Sequence, residues 1–361
     1  MRIAFVTRGP FGVIGGAASY MLPTVASLRN DVLVCAPHSP ASKEKVVFKN
    51  SEIDIVNIFS ASNSRLVLNL YSELRRFKPD IVHVFQSPKC LLYFSELRSL
   101  FPKTKWILDI RTQIITDDSV QRRRMLGKFF FSQFYVDHIF SQSIHTISSS
   151  LPVRLKKFSE LPIGLSINDF VARENPPQSV SRFIFVGLLA KQREIDILIK
   201  AFGEFSAKTD KAVSLDLIGD GNDAAELKRL CQDQGFDNIK FLGVMEQRKI
   251  AETLHRYDAG IAYVPYEKYM WAPSLKSLEY AASGLPILAS DTEGHKDYSE
   301  RFGFTFNYFS NDHRGIVSGI ESIVEKTGFK KERSDNLSAV RRFDWEHIFN
   351  SDVLPVYNKL N

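Results

Sequence analysis

Over the first 170 residues, short apolar runs alternate with amphipathic stretches. Ile3–Thr7, Asp31–Ala36, Ile53–Ile58, Ile81–Phe85, Trp106–Ile110, Ile144–Ile147 and Lys157–Leu161 are predicted strands. Between most of them the apolar period lengthens, which predicts helices over Ala17–Leu28, Ser64–Phe77 and Pro88–Phe101. Strands that alternate with helices at this spacing predict repeated βαβ units on a parallel sheet. The later residues repeat the scheme with glycine punctuation. Predicted strands Phe183–Val186, Val213–Ile218 and Ile239–Leu242 end in Gly187, Gly219 and Gly243. Helices are predicted after them at Ile195–Phe205, Ala224–Gln234 and Ile250–Tyr257, followed by Ala259–Pro265, Ser274–Ala282 and Leu285–Ser290. Glycine at the carboxyl end of a strand matters because ligands of open α/β sheets bind at that edge, where backbone must approach closely.

The polar, proline-rich stretch Arg173-Glu174-Asn175-Pro176-Pro177-Gln178-Ser179 reads as a hinge. The chain thus divides into a first domain over 1–172, a second over 180–340 and a terminal helix over 341–361. A length of 361 residues suits two domains, and 44% hydrophobic residues is ordinary for a globular protein. No apolar run is long enough to span a bilayer, and Arg2–Val6 opens a strand rather than a signal peptide, so a cytoplasmic protein is expected. Three scattered cysteines fit neither a disulfide framework nor a zinc site.

Charge is unevenly shared. Residues 1–170 hold 22 Lys+Arg against 13 Asp+Glu, a balance of +9, and residues 171–361 hold 25 against 28, a balance of −3. A basic half favours an anionic partner. No nucleic-acid-binding motif accompanies the charge, so no nucleic acid is expected.

Two segments carry candidate chemistry. The first strand runs into Gly9-Pro10-Phe11-Gly12-Val13-Ile14-Gly15-Gly16 and then a helix, where Gly15 and Gly16 could offer backbone N–H groups to phosphate or sugar hydroxyls. The pattern is not G-x-G-x-x-G, and no acid follows the second strand, which argues against NAD. The second segment is Pro273-Ser274-Leu275-Lys276-Ser277-Leu278-Glu279-Tyr280-Ala281-Ala282, with Ser274 as N-cap and Leu275, Leu278 and Ala282 as an inward stripe. Glu279 sits one turn in, either facing a ligand or solvated on the helix surface.

This second segment resembles the signature of family 4 glycosyltransferases, retaining enzymes of the GT-B fold. Phe185-Val186-Gly187-Leu188-Leu189-Ala190-Lys191-Gln192-Arg193, Leu217-Ile218-Gly219-Asp220-Gly221, Phe241-Leu242-Gly243-Val244, Asp80-Ile81-Val82-His83-Val84 and Phe343-Asp344-Trp345 resemble further family landmarks in order and spacing. The resemblance implies an α/β, GT-B architecture: two Rossmann-like domains facing a central cleft, with a terminal helix returning to the first. It implies a nucleotide-sugar donor on the second domain, bound by Gly187, Lys191, Arg193, Gly219, Val244, Ser274, Leu275, Lys276 and Glu279. Asp109, Arg111 and Arg193 are the implied catalytic residues. The implied reaction transfers a sugar, with retention, to a hydroxyl of a glycan or lipid-linked acceptor in cell-surface polysaccharide synthesis. The family's turn arginine is Leu188 here, the glycine after its helix-start cation is Glu194, and its second glutamate is Trp271. No D-x-D triplet occurs, so neither metal nor other cofactor is expected. A turnover-deficient sugar-nucleotide-binding protein and a sugar-nucleotide epimerase are the alternative readings.

One feature lies outside that signature. Gln121–Tyr135 sets Arg122, Arg123, Arg124 and Lys128 beside five aromatics, with Leu126, Phe130 and Phe134 on one helical face. Basic charge beside exposed Phe predicts peripheral contact with an anionic membrane surface.

Overall fold

The computed structural model describes every residue except 8–17, 37–42, 49–50, 59, 115, 117 and 272–273; Gly15 and Gly16 therefore lie outside the described residues. The chain forms two compact units. Unit 1 is Met1–Gly164 with Trp345–Asn361, and unit 2 is Leu165–Asp344.

Unit 1 contains β1 (Arg2–Val6), β2 (Asp31–Ala36), β3 (Lys43–Phe48), β4 (Ser51–Asn57), β5 (Ile81–Phe85), β6 (Lys105–Ile110), β7 (His138–Ser141) and β8 (Phe158–Glu160). They form one sheet in the order β3-β4-β2-β1-β5-β6-β7-β8, parallel except for the antiparallel β3–β4 pair. Side chains alternate between two apolar layers. Ala4 and Val6 of β1 join Val82 and Val84 of β5 on one face, under the helices Asn63–Phe77 and Cys90–Leu97. Ile3 and Phe5 join Ile81 and Phe85 on the other, against Ala18–Ala26 and the terminal residues Trp345, Phe349 and Tyr357. A parallel sheet covered on both faces needs such nearly continuous apolar strands.

Unit 2 contains β9 (Arg182–Val186), β10 (Ser214–Ile218), β11 (Ile239–Gly243), β12 (Ala259–Ala262), β13 (Ile287–Ser290) and β14 (Asn307–Phe309). Its order is β11-β10-β9-β12-β13-β14, with all pairs parallel. The order reverses between β9 and β12, and that reversal is where an open α/β sheet accommodates ligand.

Three expectations are corrected. Ile144–Ile147 is not a strand but opens the helix Ile144–Ser150, because Ser143 caps it by accepting from Thr146 N at 3.1 Å; the strand is β7 just before. The stretch 250–257 is a helix over Gln247–Thr253 that tightens into a 3₁₀ turn at Leu254–Arg256. The terminal segment is not one helix: Trp345–Ile348 is α, Phe349–Val353 widens to a π turn, and Leu354–Leu360 returns to α.

Candidate active site

The glycine-terminated strands of unit 2 build one rim. Gly187 N donates to Ile218 O and Gly219 N to Gly243 O, each at 2.9 Å, so the loops after β9, β10 and β11 lie against one another. Gly219 has φ +140°, and a Cβ there would stand 1.9 Å from Gly187 O; no other residue fits. Val244, just beyond this rim, is 78% exposed.

The helix Leu275–Ala282 is held over this rim by Tyr280. Its ring fills the space above Gly260 of β12, where a Cβ would sit 2.3 Å from it, and its hydroxyl accepts from Val186 N at 3.0 Å. The helix is buried on more than the expected stripe: every residue from Ser277 to Ala282 is buried, while Leu275 is only half-buried. Ser274 takes the extended N-cap conformation but makes no capping hydrogen bond. Its hydroxyl is buried and, among the described residues, has no partner, so the expected side-chain cap is absent.

Two charged residues share this helix. Glu279 is 4% exposed, which rules out a solvated surface glutamate. Gln247 Nε2 donates to its Oε1 at 2.6 Å, yet burial pushes its pKa up to about 7. The Lys276 ammonium stands 5.3 Å from the centre of the Phe185 ring. Burial and then the nearby Arg193 guanidinium lower its pKa to about 8, against the pull of Glu279. Arg193 itself lies over the Tyr269 ring, 4.0 Å from its centre. Lys276, Glu279 and Arg193 thus form one electrostatic group. Lys191 stands apart on an exposed 3₁₀ turn, lining a groove of mixed charge with Asp196, Lys200, Asp223, Glu226 and Arg229. Leu188, where the family has arginine, is 51% exposed.

Sequence reasoning missed Gln247, because a glutamine opening a helix carries no distinguishing pattern. It also missed His295. There Nδ1–H donates to Ser290 O at 2.8 Å, leaving Nε2 to accept from Ser277 Oγ at 3.0 Å. Burial lowers its pKa to about 4, so the neutral ring ties the helix carrying Lys276 and Glu279 to the end of β13.

In unit 1, Asp109 and Arg111 end β6 together. Asp109 is fully buried, Arg111 Nε stands 2.9 Å from its carboxylate, and His83 Nε2 lies 3.1 Å from Oδ2. His83 Nδ1 completes the chain at 2.7 Å from Tyr357 Oη. Burial works to raise the Asp109 pKa, but Arg111 and His83 outweigh it and hold the carboxyl below its ordinary value. Arg111 Nη1 also donates to Leu161 O at 2.7 Å.

The basic-aromatic helix Ser119–Ser132 begins at Asp118, whose carboxylate accepts from Val120 N and Gln121 N. Arg122, Arg123 and Arg124 are exposed. Lys128 Nζ is engaged by Pro88 O at 3.0 Å, and Phe129 is core, so neither adds to an outward surface as fully as the pattern suggested.

Residues 167–339 match the family model described as glycosyl transferases group 1. A GDP-mannose-dependent alpha-mannosyltransferase of Mycobacterium tuberculosis is 22% identical over 323 residues, 82% of this chain and 81% of that protein. Sucrose-phosphate synthase from Thermosynechococcus elongatus superposes with a TM-score of 0.78 at 14% identity, covering 100% of this chain and 99% of that one. Anabaena HepE in complex with UDP and glucose superposes with a TM-score of 0.73 at 14% identity, covering 99% and 100%. At such identities the superpositions show the fold, GT-B with two Rossmann-like units. The chain carries a glycosyl transferases group 1 domain over residues 167–339 and is a glycosyltransferase.

Proposed function

We propose that the chain transfers a sugar, with retention of anomeric configuration, from a nucleoside diphosphate sugar to a hydroxyl of a glycan or lipid-linked acceptor in cell-surface polysaccharide synthesis. The observation that carries the donor reading is the group of buried and half-buried polar side chains at the unit 2 rim. Among the described residues, Lys276 and Arg193 offer positive charge with no carboxylate bonded to either, Glu279 is a buried acceptor, and Ser274 is a buried hydroxyl with no partner. A diphosphate would neutralise the two cations and take the Ser274 hydroxyl, while ribose hydroxyls would donate to Glu279. Leu275 N and Gly187 and Gly219, close to the same rim, would supply backbone contacts, and exposed Val244 would face the base.

As the sugar–phosphate bond breaks, charge on the leaving diphosphate grows, and Arg193 with Lys276 stabilises it where a metal is not required. Lys191, exposed on its 3₁₀ turn, adds positive charge outside this group rather than within it. In unit 1, Asp109 is too buried to reach substrate and acts by orienting Arg111, the residue of that pair we assign to the acceptor side. The cell-surface role draws on the cationic surface of unit 1, through Arg122, Arg123, Arg124 and Lys128, which suits an enzyme working peripherally on a cytoplasmic membrane face.

Calorimetry with a panel of nucleoside diphosphate sugars tests the donor reading. One clear binder is expected, weakened at least tenfold in Lys276→Met and in Glu279→Ala, and binding unchanged in both variants refutes the site. With that donor, Arg193→Ala should lower kcat more than it raises Kd. Proton NMR of the first product scores retention, and turnover that persists in chelator scores metal independence.

A further inference from the structure

The aromatic helix of unit 1 does not act alone. Phe131 and Phe134 are 55% and 60% exposed, with ring centres 6.5 Å apart. Between them in sequence, buried Gln133 turns its amide to a separate segment: Nε2 donates to Val153 O at 2.8 Å and Oε1 accepts from Leu155 N at 2.8 Å. That two-point clasp sets Val153 and Leu155, 55% and 52% exposed, beside the two phenylalanines. The same two segments carry cations. Arg154, Lys156 and Lys157 come from the second segment, all exposed, and Arg122, Arg123 and Arg124 from the first. Residues 119–135 and 151–159 together contain seven Lys+Arg and no Asp or Glu.

Exposed apolar side chains on segments that carry charge of one sign mark an interaction surface. Its charge complements an anionic lipid surface, where apolar side chains reach the acyl boundary and each Lys or Arg meets headgroup phosphate. We propose that Phe131, Phe134, Val153 and Leu155 form a two-segment wedge that inserts into an anionic bilayer surface, with Arg154, Lys156 and Lys157 gripping the headgroups around it. The inference rests on the membrane-side reading of the function and deepens it. It replaces adsorption by the arginine helix with insertion at a defined place, and it explains the clasp: Gln133 fixes the second segment so that both pairs of apolar side chains present together.

The experiment uses the full chain with phosphatidylglycerol-containing and pure phosphatidylcholine vesicles at low and high salt. The parent should sediment with the anionic vesicles, and Phe134→Ser with Leu155→Ser should reduce that binding at least tenfold. Arg154→Ser with Lys156→Ser and Lys157→Ser should abolish the preference for anionic lipid. Phe134→Trp and Leu155→Trp should each add a component quenched by brominated lipid. Donor binding measured without vesicles should be the same in every variant, which separates loss of the wedge from loss of the fold or of the donor site. Anionic binding that the Ser pair leaves intact, with no bromolipid quenching, overturns the wedge while leaving electrostatic adsorption standing. A parent that stays in solution with every vesicle overturns both. A parent that sediments in the ultracentrifuge as a dimer, and as a monomer in the Ser pair, assigns the surface to a second copy and overturns the proposal.

Discussion

The two units share a parallel α/β plan but treat a buried carboxylate in opposite ways. In unit 1, Asp109 sits between Arg111 and His83, with Tyr357 behind, and its carboxyl is held below the ordinary value. In unit 2, Glu279 has one neutral amide donor and a pKa raised to about 7. The difference is in the partners, since both residues are buried. A carboxylate with a guanidinium beside it has its charge balanced and holds the end of a strand, although Asp109 Oδ1 and Arg111 Nη2 are buried with no hydrogen-bond partner among the described residues. A carboxylate left with one amide, beside a lysine whose own charge is disfavoured, is a place where a ligand completes the electrostatics.

The largest expected effect breaks the charge-balanced pair of unit 1. Asp109→Ala would leave the Arg111 guanidinium without its counter-charge beside buried His83, and loss of one partner of a buried ion pair costs about 3–5 kcal/mol. Denaturant unfolding should show that loss in unit 1, while donor binding to unit 2 persists. A cost under about 1 kcal/mol would mean that the pair is not what secures the end of β6.

The pH behaviour sharpens the contrast. A carboxyl whose folded pKa is raised adds stability below its unfolded value, and that contribution is lost as pH rises through about 7. Glu279→Gln removes the cost of burying the charge, so the variant should be more stable than the parent at pH 8, by up to about 3 kcal/mol. The gain should vanish near pH 4.5. His295 works the other way in the same unit, since a neutral buried histidine loses stability as pH falls below about 6.5, so the comparison must be variant against parent at each pH. In unit 1, Asp109 and His83 are both shifted down, and acid weakens both contributions. A Gln variant with the parent's pH profile would place Glu279 in a solvated setting and undo the contrast.

The fold was legible because its signal is periodic and local. Strands such as β2 and β5 were placed to the residue, and Gly187, Gly219 and Gly243 marked the rim on which the site is built. Short strands escaped where one to three apolar residues carry no period. β14 spans Asn307–Phe309, and β7 was displaced onto the helix that Ser143 caps. Of the site, Lys276 and Glu279 were visible through the resemblance. Their partners were not, since Gln247 and His295 reach them from other elements across 32 and 18 residues from Glu279 and Ser277. The pairing of Asp109 with Arg111 could be guessed from adjacency, but His83 and Tyr357 join it only through the folding of a segment 274 residues away.

The smallest expected effect concerns the turn that carries Arg193. Glu194, where the family has glycine, takes φ 52° and ψ 38°, the left-handed region, and donates its N–H to Lys191 O at 3.1 Å. A side chain in that region costs about 1–2 kcal/mol relative to a glycine. Glycine also loses more freedom on folding, roughly 0.5–1 kcal/mol, so the two terms largely offset. Glu194→Gly should therefore raise stability by about 0.5–1 kcal/mol, read as a small rise in the unfolding midpoint of unit 2. Because the 3₁₀ turn itself is kept by the Arg193 N to Ala190 O bond of 2.7 Å, donor affinity should stay within about twofold of the parent. Glu194→Ala separates the terms: it keeps the left-handed strain, removes only the carboxylate, and should leave stability where it was. A glycine variant that destabilises unit 2 would show the Glu194 side chain doing more than tolerating its backbone, and the turn would then belong with the bonded network of unit 1 rather than with the open rim of unit 2.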